Sequence, residues 1–133
     1  SAAQNMGYRA GFKGRFQNRE QLMAQEAGTR APPDPRMVDA MLELVDHLTK
    51  AGVHVHLIAT PLFGRESAFG PGAAPGPYAG IPPALEALGA HWLPVSTPAL
   101  DAEHFADPGH LNDSGARLYS AALVTAWRQE AAR

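Results

Sequence analysis

The sequence predicts an α/β protein, a parallel sheet covered by helices. Segments of helical and strand character alternate from residue 35 onward in the order helix, strand, loop, helix, strand, loop, helix. The strand-like segments are short, β-branched and apolar in character, which suits buried strands of a sheet covered by helices. The connections between them are long enough for crossovers that return each strand parallel to the last.

The first 34 residues are polar and dotted with glycine, without a clean period. They read as an irregular arm, apart from a short helix over "NREQLMAQEAG" that Gly28 would end. "APPDP" then stops one segment and starts another, with Asp34 as N-cap and Pro35 at the first helical position. In "RMVDAMLELVDHLTKAG" the residues Met37, Met41, Leu44, Val45 and Leu48 form a stripe at helical spacing, and Gly52 stands where a C-terminal cap belongs. "VHVHLIAT" follows at once and reads as a buried strand ending at Pro61.

From Phe63 to Pro77, "FGRESAFGPGAAPGP" is too rich in Gly and Pro for regular structure. Long loops at the C-terminal end of such a strand commonly carry binding groups. Nothing periodic buries Phe63, Arg65, Phe69 and Tyr78, and they are the candidate acceptor or glycan contacts, with Arg65, Phe69 and Tyr78 foremost. "IPPALEALG" predicts a short helix with Leu85 and Leu88 inward, and "HWLPV" a second strand. A final helix follows in which Ala116, Tyr119, Leu123 and Trp127 share a face. Trp92, Trp127, Tyr119, Met37 and Met41 are expected in the core. Two strands do not complete a parallel sheet. Further strands are therefore expected outside these residues rather than within the arm, with residues 35–133 forming the α/β core of a single domain or of its C-terminal part.

The chain has 133 residues, 45% hydrophobic and 18% charged, with a formal charge of −2. This is a globular composition with no run long enough to span a bilayer. The small negative charge gives no reason to expect nucleic acid, since such proteins concentrate Lys and Arg on one face. The one basic cluster, Arg9, Lys13, Arg15 and Arg19, reads as a solvated or anion-facing loop. The absence of cysteine excludes disulfides, thiolate metal sites and a cysteine nucleophile.

The segment "HFADPGHLNDSGARLYSAALVTAW", His104 to Trp127, sets Asp107 three residues before His110 at the entry to the last helix. A histidine base needs a carboxylate on one ring nitrogen so that the other faces the nucleophile. The spacing permits this by placing both side chains on one side of a turn. Asn112 or Asp113 would cap the helix, since either side chain can accept from a free first-turn N–H.

Asp107-Pro-Gly-His110-Leu-Asn112, with Gly115-Ala116 after it, resembles the last block of the SGNH/GDSL hydrolase superfamily. In particular it looks like the ending of the SGNH-like domains of bacterial polysaccharide O-acetylation proteins of the alginate type. The preceding helix, the strand ending "ATP", the long loop and "LEALGAHWLPV" also resemble the C-terminal half of that fold, so the likeness covers about Pro35 to Arg133. Carried over by position, it puts Gly115 in the first turn of the last helix, where it would allow a close approach. The resemblance implies a three-layer α/β/α fold with a parallel sheet, as in flavodoxin-like folds. It also implies a serine esterase or O-acyltransferase acting on acyl esters of carbohydrate or cell-envelope polymer. By position, His110 is then the general base and Asp107 the residue that orients it, with no cofactor or metal, in the periplasm or cell envelope.

The blocks that would supply the nucleophile and the oxyanion donors are missing. Ser114 and Ser120 belong to the last helix, Ser96 to a turn, and Ser67 to the long loop, where no backbone elbow would hold it, while Ser1 precedes "AAQN", only a faint echo of the residues that follow such a nucleophile. The nucleophile is thus expected outside these residues. Association with a missing segment or a second copy is expected to cover the strand edge. A catalytically inactive SGNH-like module that binds glycan or protein is the alternative.

Two metal readings compete and rank lower. His54 and His56 alternate along a strand and so share a face. His104, Asp107 and His110 recur at spacings of three, but without a defined second set of supporting groups. His47 reads as solvated and His91 as a strand-edge residue.

Overall fold

The computed structural model describes residues 20, 32–64, 70 and 75–133. The arm expected over 1–34 and most of the Gly/Pro-rich loop, with Arg65, Ser67 and Phe69, therefore lie outside the described residues. The chain is mixed α/β, with three helices of at least two turns and short parallel and antiparallel strand pairs among the described residues. It divides into two compact units. One comprises Thr29–Thr60, Glu66–Val95 and Ala126–Arg133, the other Ser1–Gly28, Pro61–Arg65 and Ser96–Thr125.

The unit that contains Thr29–Thr60 begins with helix α1, Pro35–Lys50. Asp34 is its N-cap, accepting from the Arg36 N–H at 2.9 Å, and Pro35 occupies the first turn, where its missing N–H costs nothing. The Arg36 guanidinium returns to the same carboxylate at 3.0 Å. That side-chain bond, with the Arg36 N–H, holds the Asp34 carboxyl below its ordinary range. At the other end Gly52 takes φ 80°. Its N–H bonds the Thr49 carbonyl and that of Val53 bonds Leu48, which closes the helix in a Schellman motif.

The helix buries Val45 and packs Val38, Met41 and Leu42 around it. Of the expected stripe Met41 and Val45 are on this face, but Met37 is 69% and Leu44 57% exposed. Both stand one residue, about 100° of helical rotation, before the positions 38 and 45 that face inward.

Strand β1, His56–Leu57, pairs in parallel with β2, His91–Trp92, in the register His56↔His91 and Leu57↔Trp92. Flanking bonds from His91 N to Val55 O and from Leu93 N to Leu57 O extend the pairing. Helix α2, Ile81–Ala87, lies between them in the chain and buries Ile81 and Leu85. It too ends in a Schellman closure, with Gly89 at φ 97° and the N–H groups of Gly89 and Ala90 bonded to Glu86 and Leu85.

The expected β–α–β order and parallel sense are present, but the ladders are far shorter than "VHVHLIAT" and "HWLPV" suggest. After Leu93 comes Pro94, which has no N–H to give, and the Val95 N–H turns back to the Leu93 carbonyl at 2.9 Å. Val45, Ile81, Leu85 and Ala90 form the core of this unit, with Val55, Leu57, Tyr78 and Leu88 packed against it.

In the unit that contains Ser96–Thr125, a single 3₁₀ turn, Ala102–His104, leads into β3, Phe105–Asp107. This strand pairs antiparallel with β4, His110–Leu111, across the two residues Pro108 and Gly109. The sequence predicts a loop at this point, because paired strands of two and three residues are too short to show a period of two. Phe63 and Phe105 pack edge to face, ring centres 5.5 Å apart, with Leu100, Ala102 and Leu111 around them.

Helix α3, Asp113–Ala131, completes the chain. It buries Gly115, Tyr119 and Ala126, and burial pushes the Tyr119 phenol up. Trp127, expected in the core, is 51% exposed. Its indole stands edge-on to the His56 imidazole, ring centres 5.0 Å apart. Among the described residues no helix is long and apolar enough to cross a membrane.

Candidate functional site

The site is built on the β3–β4 hairpin. Pro108 fixes its own φ in the turn. Asp107 and His110 end the strands on either side as a register pair. Residues opposite each other in an antiparallel ladder project to the same face, so the D-x-x-H spacing becomes a contact through cross-strand pairing. The hairpin tip is anchored by the Phe63 N–H, which donates to the Pro108 carbonyl at 3.0 Å.

His110 Nδ1 lies 2.8 Å from Asp107 Oδ1 and 2.9 Å from Oδ2. A carboxylate only accepts, so Nδ1 carries the proton of the neutral ring, and Nε2 is left with its lone pair. The His110 side chain is 80% exposed, which leaves Nε2 open to a reacting hydroxyl. Asp107 Oδ1 also accepts from the Gly109 N–H at 2.9 Å. Partial burial pushes the Asp107 carboxyl up, but the bonds from the His110 ring and the Gly109 N–H, together with His110's charge and N–H, bring it below its ordinary range. It is thus held as the carboxylate that such a pair needs.

The residues around the pair fix its place in the chain. Asp101 caps the 3₁₀ turn by accepting from the Glu103 N–H at 3.0 Å, while His104 Nδ1 accepts from the Asp101 N–H at 3.1 Å. His104 is thereby tied to Asp101, 2.9 Å from its carboxylate, rather than joined to Asp107 and His110 as the metal reading required. Among the described residues no three His, Cys, Asp or Glu side chains are gathered to hold a metal ion. His54 is exposed and outside the β1 ladder, and the buried His56 Nδ1 has no hydrogen-bond partner among the described residues.

Asn112 is 2% exposed. As expected it caps α3, its Oδ1 accepting from the Gly115 N–H at 3.0 Å and from the Ser114 hydroxyl at 2.7 Å. Its Nδ2 donates to the Glu103 carbonyl, a partner that sequence reasoning missed because the contact spans nine residues. Gly115 meets the expected close approach: a Cβ there would overlap the His104 carbonyl.

Of the substrate-contact candidates, Arg65 and Phe69 lie outside the described residues. Tyr78 is half-buried against the core of Val45, Ile81, Leu85 and Ala90, in the unit that does not contain the Asp107–His110 pair. Ser96 and Ser120 are exposed, and the Ser114 hydroxyl is bonded to Asn112. Among the described residues no serine hydroxyl is bonded to His110.

The arrangement is an exposed imidazole whose Nδ1 is held by a carboxylate. No protein-family profile, curated protein or solved structure matches the chain.

Proposed function

We propose that this chain carries the base of an SGNH-like serine esterase or O-acyltransferase that acts on acyl, chiefly acetyl, esters of a carbohydrate or cell-envelope polymer. The observation that supports this most is the grip of both Asp107 oxygens on His110 Nδ1 beside an exposed ring. In the proposed reaction a serine hydroxyl adds to the ester carbonyl carbon and gives its proton to His110 Nε2. The tetrahedral adduct collapses, the C–O bond to the leaving alcohol breaks, and that oxygen takes the proton back from Nε2. Water or a sugar hydroxyl then attacks the acyl-serine, losing its proton to Nε2, and as the bond from the acyl carbon to the serine oxygen breaks that oxygen takes the proton back from Nε2. Asp107 keeps the ring in the correct tautomer and stabilises its cationic form.

The same reading takes β1, α2 and β2 as one crossover of a three-layer α/β/α sheet. It also places the protein in the periplasm or cell envelope, with the sheet completed by a further segment or a second copy. A two-stranded parallel pair gains little stability alone, which supports such completion.

The test is hydrolysis of 4-nitrophenyl acetate and of an acetylated polysaccharide by the intact parent protein, with labelling by a fluorophosphonate that reacts only with an activated serine. His110→Ala is expected to abolish labelling and lower kcat/KM by about a thousandfold or more. Full labelling and turnover in H110A would contradict the mechanism.

The lack of a serine bonded to His110 among the described residues favours a second reading, an inactive SGNH-like module that binds glycan or protein. Glycan binding by a parent protein that neither labels nor turns over acetyl esters would support that reading instead.

A further inference from the structure

The β3–β4 hairpin is too short to be stable by itself. It also lacks a regular ladder: Phe105 pairs with Leu111 and Asp107 with His110, so β3 spends one residue more than β4 and bulges at Ala106. Its turn is held by Phe63, and its open end by Asn112, two residues after His110. The Asn112 N–H donates to the His104 carbonyl at 3.0 Å, and its carbonyl accepts from the Ala116 N–H at 2.8 Å. Its side chain reaches the Glu103 carbonyl on one side, and the Gly115 N–H and Ser114 hydroxyl on the other. One buried side chain therefore joins the residues before β3, the end of β4 and the first turn of α3.

We propose that Asn112 is a positioning residue for the Asp107–His110 pair, clasping the open end of the hairpin so that the carboxylate stays on His110 Nδ1. The proposal rests on the reading of His110 as a base. Helix capping alone needs only an acceptor at this position, whereas the bond from Nδ2 to Glu103 needs a donor. The two roles can therefore be separated. Asn112→Asp keeps the cap and loses the donor. Asn112→Ser keeps a capping hydroxyl that is too short to reach both sides.

The experiment reads the ring ¹⁵N shifts of His110 in the 133-residue chain at alkaline pH, with circular dichroism as the check on folding. In the wild type the proton is expected on Nδ1, with Nε2 bare. In Asp107→Ala it is expected to move toward Nε2, the site preferred by an unconstrained neutral histidine side chain. N112D and N112S are expected to shift the same way with helix content kept. Leu85→Ala, in the other core, is expected to leave the ring shifts unchanged.

Wild-type shifts in folded N112D and N112S, with D107A displaced, would overturn the role of Asn112 alone. Wild-type shifts in D107A would overturn the base reading and the proposal with it, and displaced shifts in L85A would show that general destabilisation suffices. If both Asn112 variants fail to fold, the wild type still decides. In urea below the unfolding transition, loss of exchange protection at the Asn112 N–H is expected to coincide with loss of the Nδ1-protonated ring, and separate loss overturns the proposal.

Discussion

The core around Val45, Ile81, Leu85 and Ala90 and the segment from Asp101 to Gly115 are held by different forces. In the first, apolar side chains pack behind two helices whose ends are closed by Gly52 and Gly89, and each contact is non-directional. In the second, Asp101, His104, Asn112 and Gly115 meet through directed bonds to named backbone atoms. The first arrangement tolerates any side chain of about the right shape. The second accepts only groups with the right donor, acceptor or absence of a Cβ, and that is the segment that carries the paired carboxylate and imidazole. Directed bonds set a distance to tenths of an ångström, as a base pair for catalysis requires.

The sharpest break in this contrast is Gly115→Ala. One methyl group there would meet the His104 backbone, which cannot yield without loosening the 3₁₀ turn. A loss of about 3 kcal/mol, or failure to fold, is expected from overpacking against main chain. Urea unfolding followed by circular dichroism measures it, and a G115A midpoint equal to wild type would show that the approach is not tight.

Leu85→Ala probes the other region. Leu85 is 5% exposed, and truncation is expected to cost about 2 to 4 kcal/mol. Conservative exchange to Met should cost under about 1.5 kcal/mol. A core as exacting as the hairpin would instead penalise L85M as heavily as L85A in the same unfolding assay.

The pH dependence of the hairpin is smaller. The folded pKa of Asp107 lies below the unfolded value of about 3.9. Its contribution to stability is thus fully present above that value and is lost as pH falls through the folded value. The stability gap between wild type and Asp107→Asn is expected to be constant from about pH 6 to pH 5 and to shrink below about pH 4. A gap that widened on acidification would reverse the sign. With the carboxyl 44% exposed, solvent screening keeps the effect modest.

The smallest effect is expected at Gly109, although it lies within the D-P-G-H turn. Its φ is not positive, and an added Cβ would meet only Asp107 Oδ1 at 3.7 Å, an ordinary contact. Gly109→Ala should change stability by no more than about 0.5 kcal/mol in the same unfolding assay. A large loss would mean that the turn is more constrained than its neighbours.

What was legible in the sequence follows the same division. Local signals were readable: Asp34-Pro35 starts α1, Gly52 ends it, and the β–α–β order gives a parallel pair. Gly115 was readable as a close approach because the resemblance places it in the first turn of the last helix. The proximity of Asp107 and His110 was readable from spacing, but the hairpin that creates it was not, since its strands are shorter than any periodicity. The rotation of α1 that exposes Met37 and Leu44, and the exposure of Trp127, depend on which neighbours exist to cover them. The Asn112 bond to Glu103 and the tie between His104 and Asp101 were invisible because they depend on tertiary geometry rather than on residue type.

The central claim is that Asp107 and His110 act as one catalytic unit, and a double-mutant cycle on acetyl-ester turnover by the intact parent tests it most directly. His110→Ala should lower kcat/KM by about a thousandfold, and adding Asp107→Ala should lower it little further, because a carboxylate that acts only through the imidazole has nothing left to orient. Wild-type turnover in either single variant, or two losses that simply multiply, would contradict the account.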